Sequence, residues 1–333
     1  MRPRRAVFGT RAIMTVAVAT AVALVPTVAN ASAPDPATKA KHVAGLIAKV
    51  APNQGVPVKA AAAGDRMVAA AGTRTASVPR DAHAPVVLQD AGGVKVPNAG
   101  PGQPSLAVSL PPELALDAGV LADDGTVVFS STAGEAAAVQ LLGDGTVRLE
   151  TVIGSVAAPH RFTYEFGNGV VPVLRPDGSA DLNSTVGTTT ATLGRVAEPW
   201  AFDAKGRAVP TSYSIVNGAL VQTVHTTADT AYPVVADPSV TFGWAVYYHY
   251  SRDEVRAAAQ QTPYMMLSTV ICEVVSGGLG TAFCLTAIGG MATSIHQTFS
   301  NAAANGQCVV ITMPYYPSAA TFALQMRWRA VSC

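Results

Sequence analysis

Short, mostly apolar stretches recur along residues 105–238, separated by polar and glycine-containing turns, a pattern typical of β-strands. These stretches are rich in Val, Thr, Phe, Tyr or Leu, most of which strands favour. The pattern predicts strands at residues 126–130, 139–142, 146–153, 162–166, 170–174, 213–216, 219–225 and 232–235.

Turn-forming residues separate these predicted strands. Asp-Gly and Asn-Gly pairs tolerate the positive φ angles that two-residue hairpin turns require. Short strands at regular spacing with such turns predict an antiparallel β-sandwich or an open barrel. The predicted turns are Asp124-Gly125, Asp144-Gly145, Gly167-Asn168-Gly169, Asp177-Gly178, Lys205-Gly206 and Asn217-Gly218.

From residue 240 onward the apolar spacing becomes helical. Ser251 and Glu254 match a capping box, which predicts a helix over residues 252–261 that Pro263 ends. Asn305-Gly306 has the composition of a helix C-terminus. The other predicted elements of this segment are helices at residues 264–276 and 281–304 and strands at 309–312 and 321–328.

Residues 32–104 offer little material for a core. Proline, glycine and alanine dominate, and no Phe, Trp or Tyr occurs. We therefore expect a flexible linker, because so little apolar surface cannot offset the entropy of ordering. A short amphipathic helix can form at residues 37–50, where Val43, Leu46, Ile47 and Val50 recur at helical spacing.

The first 31 residues have the pattern of a signal peptide. Four arginines precede an apolar run at residues 12–25, and Ala29-Asn30-Ala31 supplies small residues for cleavage after Ala31. Cleavage after Ala33 would place Pro34 first, so Ala31 is preferred. The run is shorter than the roughly 20 residues that span a bilayer, which disfavours an uncleaved anchor. The surroundings of Arg4-Arg5 fit a twin-arginine signal poorly, so ordinary secretion is expected.

The charge balance disfavours nucleic acid as a partner. The chain has 22 Lys and Arg against 21 Asp and Glu, and removal of the four signal arginines leaves 18 against 21, a net charge of −3. A slightly acidic protein lacks the basic surface that binds phosphate backbones.

The four cysteines lie in or just after the least charged part of the chain. Between Arg256 and Arg327 the only formal charge is Glu273. An even number of cysteines in an exported chain predicts disulfides and leaves no odd thiol as a nucleophile. Three pairings are open, and we favour Cys272–Cys284, which flank the glycine-rich turn at 277–280, with Cys308–Cys333 closing the strand pair.

These patterns predict an α+β chain of several domains. A signal peptide (1–31) and a flexible linker (32–104) precede an antiparallel β-sandwich-like domain (105–238). Residues 239–333 form a disulfide-bonded tail module, a helical hairpin plus a strand pair.

A block of sequence in the β-rich segment resembles one that recurs in secreted actinobacterial proteins of unknown function. Residues 198–211 read EPWAFDAKGRAVPT, Leu220-Val221-Gln222 follow, and residues 232–238 read YPVVADP. Similar YPV-type endings occur in large wall-associated proteins of the RHS-repeat type. The resemblance covers roughly residues 105–333 and implies no catalytic residues. We interpret Trp200 as a core anchor and residues 203–206 as a hairpin turn.

Motifs of catalysis and cofactor binding are missing from the sequence. It contains no His-Glu-x-x-His site, no Gly-x-Ser-x-Gly elbow and no phosphate-binding loop. His225 is interpreted as structural. Residues 177–183 alternate oxygen-bearing side chains but lack the later bidentate Glu of a calcium loop, so a turn is preferred. We assign no catalytic, cofactor or metal residue and expect a protein that is not an enzyme.

Two functions remain open at this point. The first is a secreted, non-catalytic extracellular or cell-wall-associated interaction protein with an extracellular protein, the wall or a membrane surface as partner. The alternative is a membrane-active, bacteriocin-like effector, since residues 274–295 are uncharged and long enough to span a bilayer. We favour a clamped hairpin outside the membrane over an inserting hairpin or a resident span, because the run is rich in small residues and contains Cys284.

Overall fold

A computed structural model describes residues 35–51, 55–72, 74–90, 106–167, 169–186, 189–272, 281–314 and 326–333. They belong to one compact unit, Asp35–Cys333. The predicted signal peptide and its cleavage position, Ala31, lie outside the described residues.

Antiparallel strands make up most of the described chain. They form a five-stranded sheet (β1-β2-β3-β4-β5), a three-stranded sheet (β10-β16-β15) and a twelve-stranded sheet whose main path is β11-β12-β13-β18-β9-β8-β7-β6. The strands are β1 (Ala61–Ala63), β2 (Arg66–Ala71), β3 (Arg74–Pro79), β4 (Val86–Asp90), β5 (Leu106–Val108), β6 (Val120–Leu121), β7 (Val127–Ser130), β8 (Ala136–Leu141), β9 (Thr146–Ile153), β10 (Arg161–Tyr164), β11 (Val171–Leu174), β12 (Ala180–Val186), β13 (Thr189–Val196), β14 (Ala201–Phe202), β15 (Thr211–Val216), β16 (Ala219–Val224), β17 (Val234–Ala236), β18 (Ser239–Tyr250), β19 (Cys308–Pro314) and β20 (Arg327–Val331).

The predicted turns close the hairpins of this fold. Thr146 N–H donates to the Asp144 carboxylate at 2.9 Å, and Gly145 has a φ of 84°. Gly125, with a φ of 96°, is also a close approach, since a Cβ there would lie 2.5 Å from the Val58 carbonyl oxygen. Asn217 (φ 51°) and Gly218 (φ 82°) turn β15 into β16. Together with the sheets and helices, these hairpins confirm the predicted α+β class with sandwich-like sheets.

The predicted flexible linker is not seen where residues 32–104 are described. Helix α1 (Pro36–Val50) confirms the short helix expected at 37–50, and Asp35 caps its N-terminus through Thr38 N–H. The strands β1 to β4 join β5 in one sheet. Aromatic residues are not needed, because the aliphatic side chains of this segment pack on the core of the rest of the chain. The fully buried ones include Met67, Val78, Val86 and Leu88.

Strand β18 corrects the prediction that helical structure begins at residue 240. Its twelve residues are rich in aromatic and β-branched types, which favour extended structure. It pairs with β13 and β9 on the β-rich side and with β19 of the tail. One continuous sheet therefore crosses the predicted boundary at residues 238 and 239.

The helices of the tail are shorter than predicted. Helix α2 (Arg252–Ala259) begins with the predicted capping box of Ser251 and Glu254. Pro263 occupies the first turn of a short helix, α3 (Pro263–Met266), that continues as a π-helical turn through Leu267–Cys272. Gly289 and Gly290 divide the predicted helix 281–304, because glycine costs backbone entropy in a helix. Its two parts are α4 (Thr281–Ile288) and α5 (Ala292–Ala304), joined by a 3₁₀ turn at Gly289–Met291.

Two disulfides hold the tail in the predicted pairing. Cys272 is bonded to Cys284, which joins the π-helical turn to α4, and Cys308 is bonded to Cys333 beside the β19–β20 pair. Among the described residues, no helix combines the length and apolar character that crossing a bilayer requires. Part of the candidate span 274–295 lies outside the described residues.

Candidate functional site

A row of polar side chains is buried on one face of the large sheet. Gln140 on β8 is paired with Arg148 on β9, and Ala138 with Glu150. Side chains two apart on a strand share a face, so Arg148, Glu150 and Val152 point to the same side of the sheet. Val152 and Ala138 belong to the same apolar cluster as the buried side chains of α1, so α1 lies on that side. Arg148 and Glu150 are only 2% and 1% exposed, on the face where α1, Trp200 and Phe202 pack.

Hydrogen bonds link the row from one end. Gln140 donates through Nε2 to the Thr126 hydroxyl at 2.8 Å and accepts from Arg148 Nη2 at 2.5 Å. Arg148 Nε lies 3.4 Å from Glu150 Oε1, an ion pair without hydrogen-bond alignment. Within the described part of the chain, both Glu150 oxygens and Arg148 Nε and Nη1 have no hydrogen-bond partner. Buried polar atoms in that condition are costly, so this row is a weak point of the packing.

Asp237 is a second buried carboxylate near this row. Its Oδ1 accepts from the Trp200 backbone N–H at 3.4 Å, and its Oδ2 accepts from the Ser239 hydroxyl. The Trp200 indole N–H lies near the same carboxylate without hydrogen-bond alignment. Ser239 is paired with Arg148 across β18 and β9, which places Asp237 beside the arginine. We call Gln140, Arg148, Glu150 and Asp237 the buried polar cluster.

The two acids of this cluster titrate far from their ordinary range. Burial raises the pKa of Glu150 to about 8, Arg148 opposes the shift and Asp237 adds to it. Burial raises the pKa of Asp237 to about 7, against its hydrogen bonds and the charge of Arg148. One arginine therefore balances one carboxylate, and the other retains a proton near neutral pH.

An open cleft of about 820 Å³ lies at the edge of the buried polar cluster. Trp200 and Ser239 line it, and so do the exposed carboxylates of Asp144 and Glu198. Neither of these two carboxylates has an ion-pair partner within the described ranges. We call this feature the acidic cleft, since both of its ionisable lining groups are carboxylates.

Three pairs of a Ser or Thr hydroxyl with a histidine are the nucleophile candidates of the described chain. In one of them, the Ser300 hydroxyl lies 3.5 Å from His296 Nδ1 within α5. The Thr192 hydroxyl lies 3.1 Å from His249 Nε2, but it donates its proton to Asn183 Oδ1 at 2.8 Å. Ser212 and His225 lie 3.3 Å apart on an exposed face after β16. A nucleophile must give its proton to the histidine, so the Thr192 arrangement is structural.

The residues of the predicted calcium-loop alternative form a turn and a strand. Asp177 accepts from both the backbone N–H and the hydroxyl of Ser179, while Asp181 lies in β12 and pairs with Arg175 and Arg195. Over the described ranges, no group of three or more His, Cys, Asp or Glu side chains can hold a metal ion.

The sequence block at residues 198–211 and 232–238 contributes two short strands, β14 and β17, that pair with each other. Ala201 and Phe202 of β14 pair with β17, and Trp200 packs with Phe202 near α1. Asp203 turns the chain as predicted, and it is buried. Burial would raise the pKa of Asp203, but hydrogen bonds from Arg207 and from backbone N–H groups hold it well below its usual range.

The buried polar cluster was not found by sequence reasoning. Arg148 and Glu150 alternate with Val147 and Leu149, a pattern typical of a strand with one solvated face, so the residue types alone do not indicate burial. The available signal was the amphipathic helix at 37–50, whose apolar side needs a surface to cover.

Comparison with known proteins adds no relative. No protein-family model, no curated protein and no solved structure matches this chain.

Proposed function

We propose that this chain is a secreted, non-catalytic interaction protein of the extracellular space or the cell wall. Its two disulfides support the compartment, because such bonds persist where the surroundings are oxidising. The N-terminal pattern of four arginines, an apolar run and Ala29-Asn30-Ala31 supports export.

The burial of Glu150 and Asp237, the two carboxylates with raised pKa values, supports a non-catalytic role. A general acid or base must come within hydrogen-bond distance of its substrate. Glu150 and Asp237 are 1% and 0% exposed and lie beneath the surface of the cleft. Their raised pKa values therefore reflect burial in the scaffold.

The acidic cleft is the proposed recognition site, and it is the observation on which the proposed function depends. Asp144, in the turn between β8 and β9, and Glu198, in the segment after β13, offer exposed carboxylates, and Trp200 adds an aromatic side chain. Carboxylates bind ammonium and guanidinium groups by charge-assisted hydrogen bonds, and an indole adds about 0.5–1 kcal/mol at exposed sites. The partner class is therefore an extracellular molecule that presents a basic group.

Binding of a lysine-rich peptide to the purified, disulfide-bonded chain tests this role. We expect salt-sensitive binding that falls about tenfold or more in Asp144→Asn/Glu198→Gln. The asparagine introduced by Asp144→Asn would still accept from Thr146 N–H, so the turn survives. Glu165→Gln, which alters an exposed carboxylate outside the cleft, is the control.

Three results would contradict the proposal. They are equal binding by the double variant and the original chain, equal affinity for an acidic peptide, and hydrolysis of wall or protein substrates by the purified chain.

Exposed apolar side chains in the tail favour a second candidate, the membrane-active effector. Tyr264 and Met265 are 61% and 57% exposed at the start of α3, a composition that suits a membrane interface. Dye leakage from anionic liposomes tests this with the whole chain, because β18 joins the tail to the main sheet. Leakage that Tyr264→Ser/Met265→Ser abolishes would support it, and no leakage at micromolar protein would exclude it.

A further inference from the structure

Helix α1 is held on the sheet by a small apolar contact. Its buried side chains form one apolar cluster with aliphatic side chains of β7, β8, β9 and β17 and with Ala122, which follows β6. An ion pair to the sheet side, Lys41 with Asp123 at 3.7 Å, joins two exposed groups and adds little. We call the following set the α1 contact: Ala40, Ala44, Ile47 and Val50 on the helix with Ala122, Val128, Ala136, Ala138, Val152 and Val235 on the sheet side.

Glu150 lies within the footprint of this contact. It is two residues from Val152 on β9 and is paired with Ala138 on β8, and both neighbours belong to the α1 contact. The facing side of α1 offers only apolar side chains, so it supplies no donor to the carboxylate. Docking of α1 therefore removes water from Glu150 without replacing its hydrogen bonds.

The charges around Glu150 are unbalanced when both acids are ionised. Among the described residues, Arg148 on β9 is the single cation beside two carboxylates, Glu150 and Asp237. Asp124, on the β6–β7 turn, adds negative potential at Glu150. The other titratable groups of the surrounding elements are Tyr164 and Tyr213 near Asp237, and four groups on α1. Of these four, Lys41, His42 and Lys49 are exposed and Lys39 is half-buried.

We propose that α1 is a pH-sensitive cover, which stays docked while the Glu150–Asp237 pair holds a proton and leaves the sheet when both carboxylates are ionised. Opening lets water hydrate Glu150 and relieves the net negative charge enclosed beside Arg148. The sheet side of the α1 contact is then free, while the strands below it keep their own core.

The direction of the switch follows from proton linkage. Docked Glu150 holds its proton up to about pH 8, whereas a hydrated glutamate releases it near its ordinary value of 4.5. The docked state thus binds more protons, so docking is strongest below that value and weakens as pH rises towards 8.

Amide hydrogen exchange of the full chain with both disulfides intact measures the opening. After correction for the intrinsic rate, protection of the α1 amides should fall about tenfold for each pH unit through neutrality. The amides of β9 and β16 should keep their protection, which separates local opening from unfolding.

Two variants decide whether the cluster is responsible. Glu150→Gln removes the titrating proton, so we expect α1 protection to lose its pH dependence, while the exposed control Glu165→Gln behaves like the original chain. If Glu150→Gln fails to fold, Asp237→Asn keeps an acceptor for Ser239 and provides the same test. The proposal is overturned if α1 protection is constant between about pH 5 and 9, if Glu150→Gln/Asp237→Asn still opens with pH, or if α1 and β9 lose protection together.

Discussion

The two ends of the folded chain solve the same problem, the attachment of helices to a sheet, in different ways. Helix α1 is attached without a covalent bond, through small aliphatic side chains that also cover a buried charged row. The tail helices are attached to a nearly uncharged core and are closed by Cys272–Cys284. The first attachment depends on pH and the second on redox conditions, so one molecule carries two independent weak points.

The residue types at each end explain the difference. In the tail, Val255, Ile271, Ile295 and Phe299 are fully buried, and none of them needs a polar partner. Beneath α1, Arg148 and Glu150 must be desolvated for the helix to dock. A disulfide adds stability that does not depend on protonation at neutral pH, whereas a buried ion pair always does.

Removal of Arg148 should cause the largest loss of stability. Arg148→Met keeps the length of the side chain but leaves Glu150 and Asp237 without a counter-charge. We expect the free energy of unfolding to fall by about 3–5 kcal/mol at pH 8, and by less at pH 5 where both acids are protonated. Denaturant titration at both pH values measures this.

Arg195→Met serves as the control, since Arg195 is half exposed and forms a surface ion pair with Asp181. It should cost no more than about 1 kcal/mol. An equal loss for Arg148→Met at pH 5 and pH 8 would show that packing, and not charge, explains the result.

Opening the first disulfide should have the next largest effect. Cys272→Ser/Cys284→Ser releases a loop with a sequence separation of 12 and should lower the free energy of unfolding by about 3 kcal/mol. We expect increased binding of an apolar dye and aggregation of the tail, while β9 and the α1 amides keep their exchange protection.

Removal of the second disulfide, Cys308–Cys333, is the matched control for this prediction. Cys308→Ser/Cys333→Ser also opens one bridge, but the segment it releases, residues 327–333, is mostly exposed. Less aggregation is expected. If this variant aggregates as strongly, the helical hairpin is not the special weak point of the tail.

Per pH unit, the change in global stability of the unaltered chain should be smaller than these losses, but it is measurable. Glu150 and Asp237 have raised pKa values in the folded state, about 8 and 7, against ordinary values of 4.5 and 3.8. Their contribution is complete below the ordinary values and is lost as pH rises to about 8, at up to about 1.4 kcal/mol per pH unit for each proton.

Thermal or denaturant unfolding from pH 4.5 to 8 should show that decline. Glu150→Gln should reduce this decline, and Glu150→Gln/Asp237→Asn should remove it. The Cys272→Ser/Cys284→Ser chain should keep the same slope at lower stability, because distant sites act additively. Different slopes for the two backgrounds would mean that the two ends are coupled.

Loss of the α1 cap should have the smallest effect. Asp35→Ala removes the carboxylate that accepts from Thr38 N–H at 3.3 Å and should destabilise the docked helix by about 1 kcal/mol. Exchange of the α1 amides should then accelerate about fivefold without a change in the β9 amides. Asp35→Asn is the conservative control, since asparagine caps equally well.

Much of the local structure could be predicted from the residues alone. Strand β9 occupies the predicted residues 146–153, α1 lies within one residue of the predicted helix, and the capping box opens α2. These features depend on interactions within a few residues, such as Asp144 with Thr146 N–H. Local physical chemistry is sufficient to place them.

Other elements could not be placed from local patterns. The residues of β1 to β4 have little apolar surface and become ordered because they pack on a core built by distant residues. β18 is extended because β13, β9 and β19 pair with it along its length. In both cases, the residues that order the segment are distant in the sequence, so local patterns do not predict it.

The sequence by itself thus determined the hairpin turns, the helix caps and the set of cysteines available for disulfides. Tertiary structure alone decided that Arg148 and Glu150 are buried. Alternation shows which residues share a face of a strand, but it does not show what covers that face. Here the cover is α1, about one hundred residues earlier in the chain, and its contact converts a pattern typical of a solvated strand into a charged row without water.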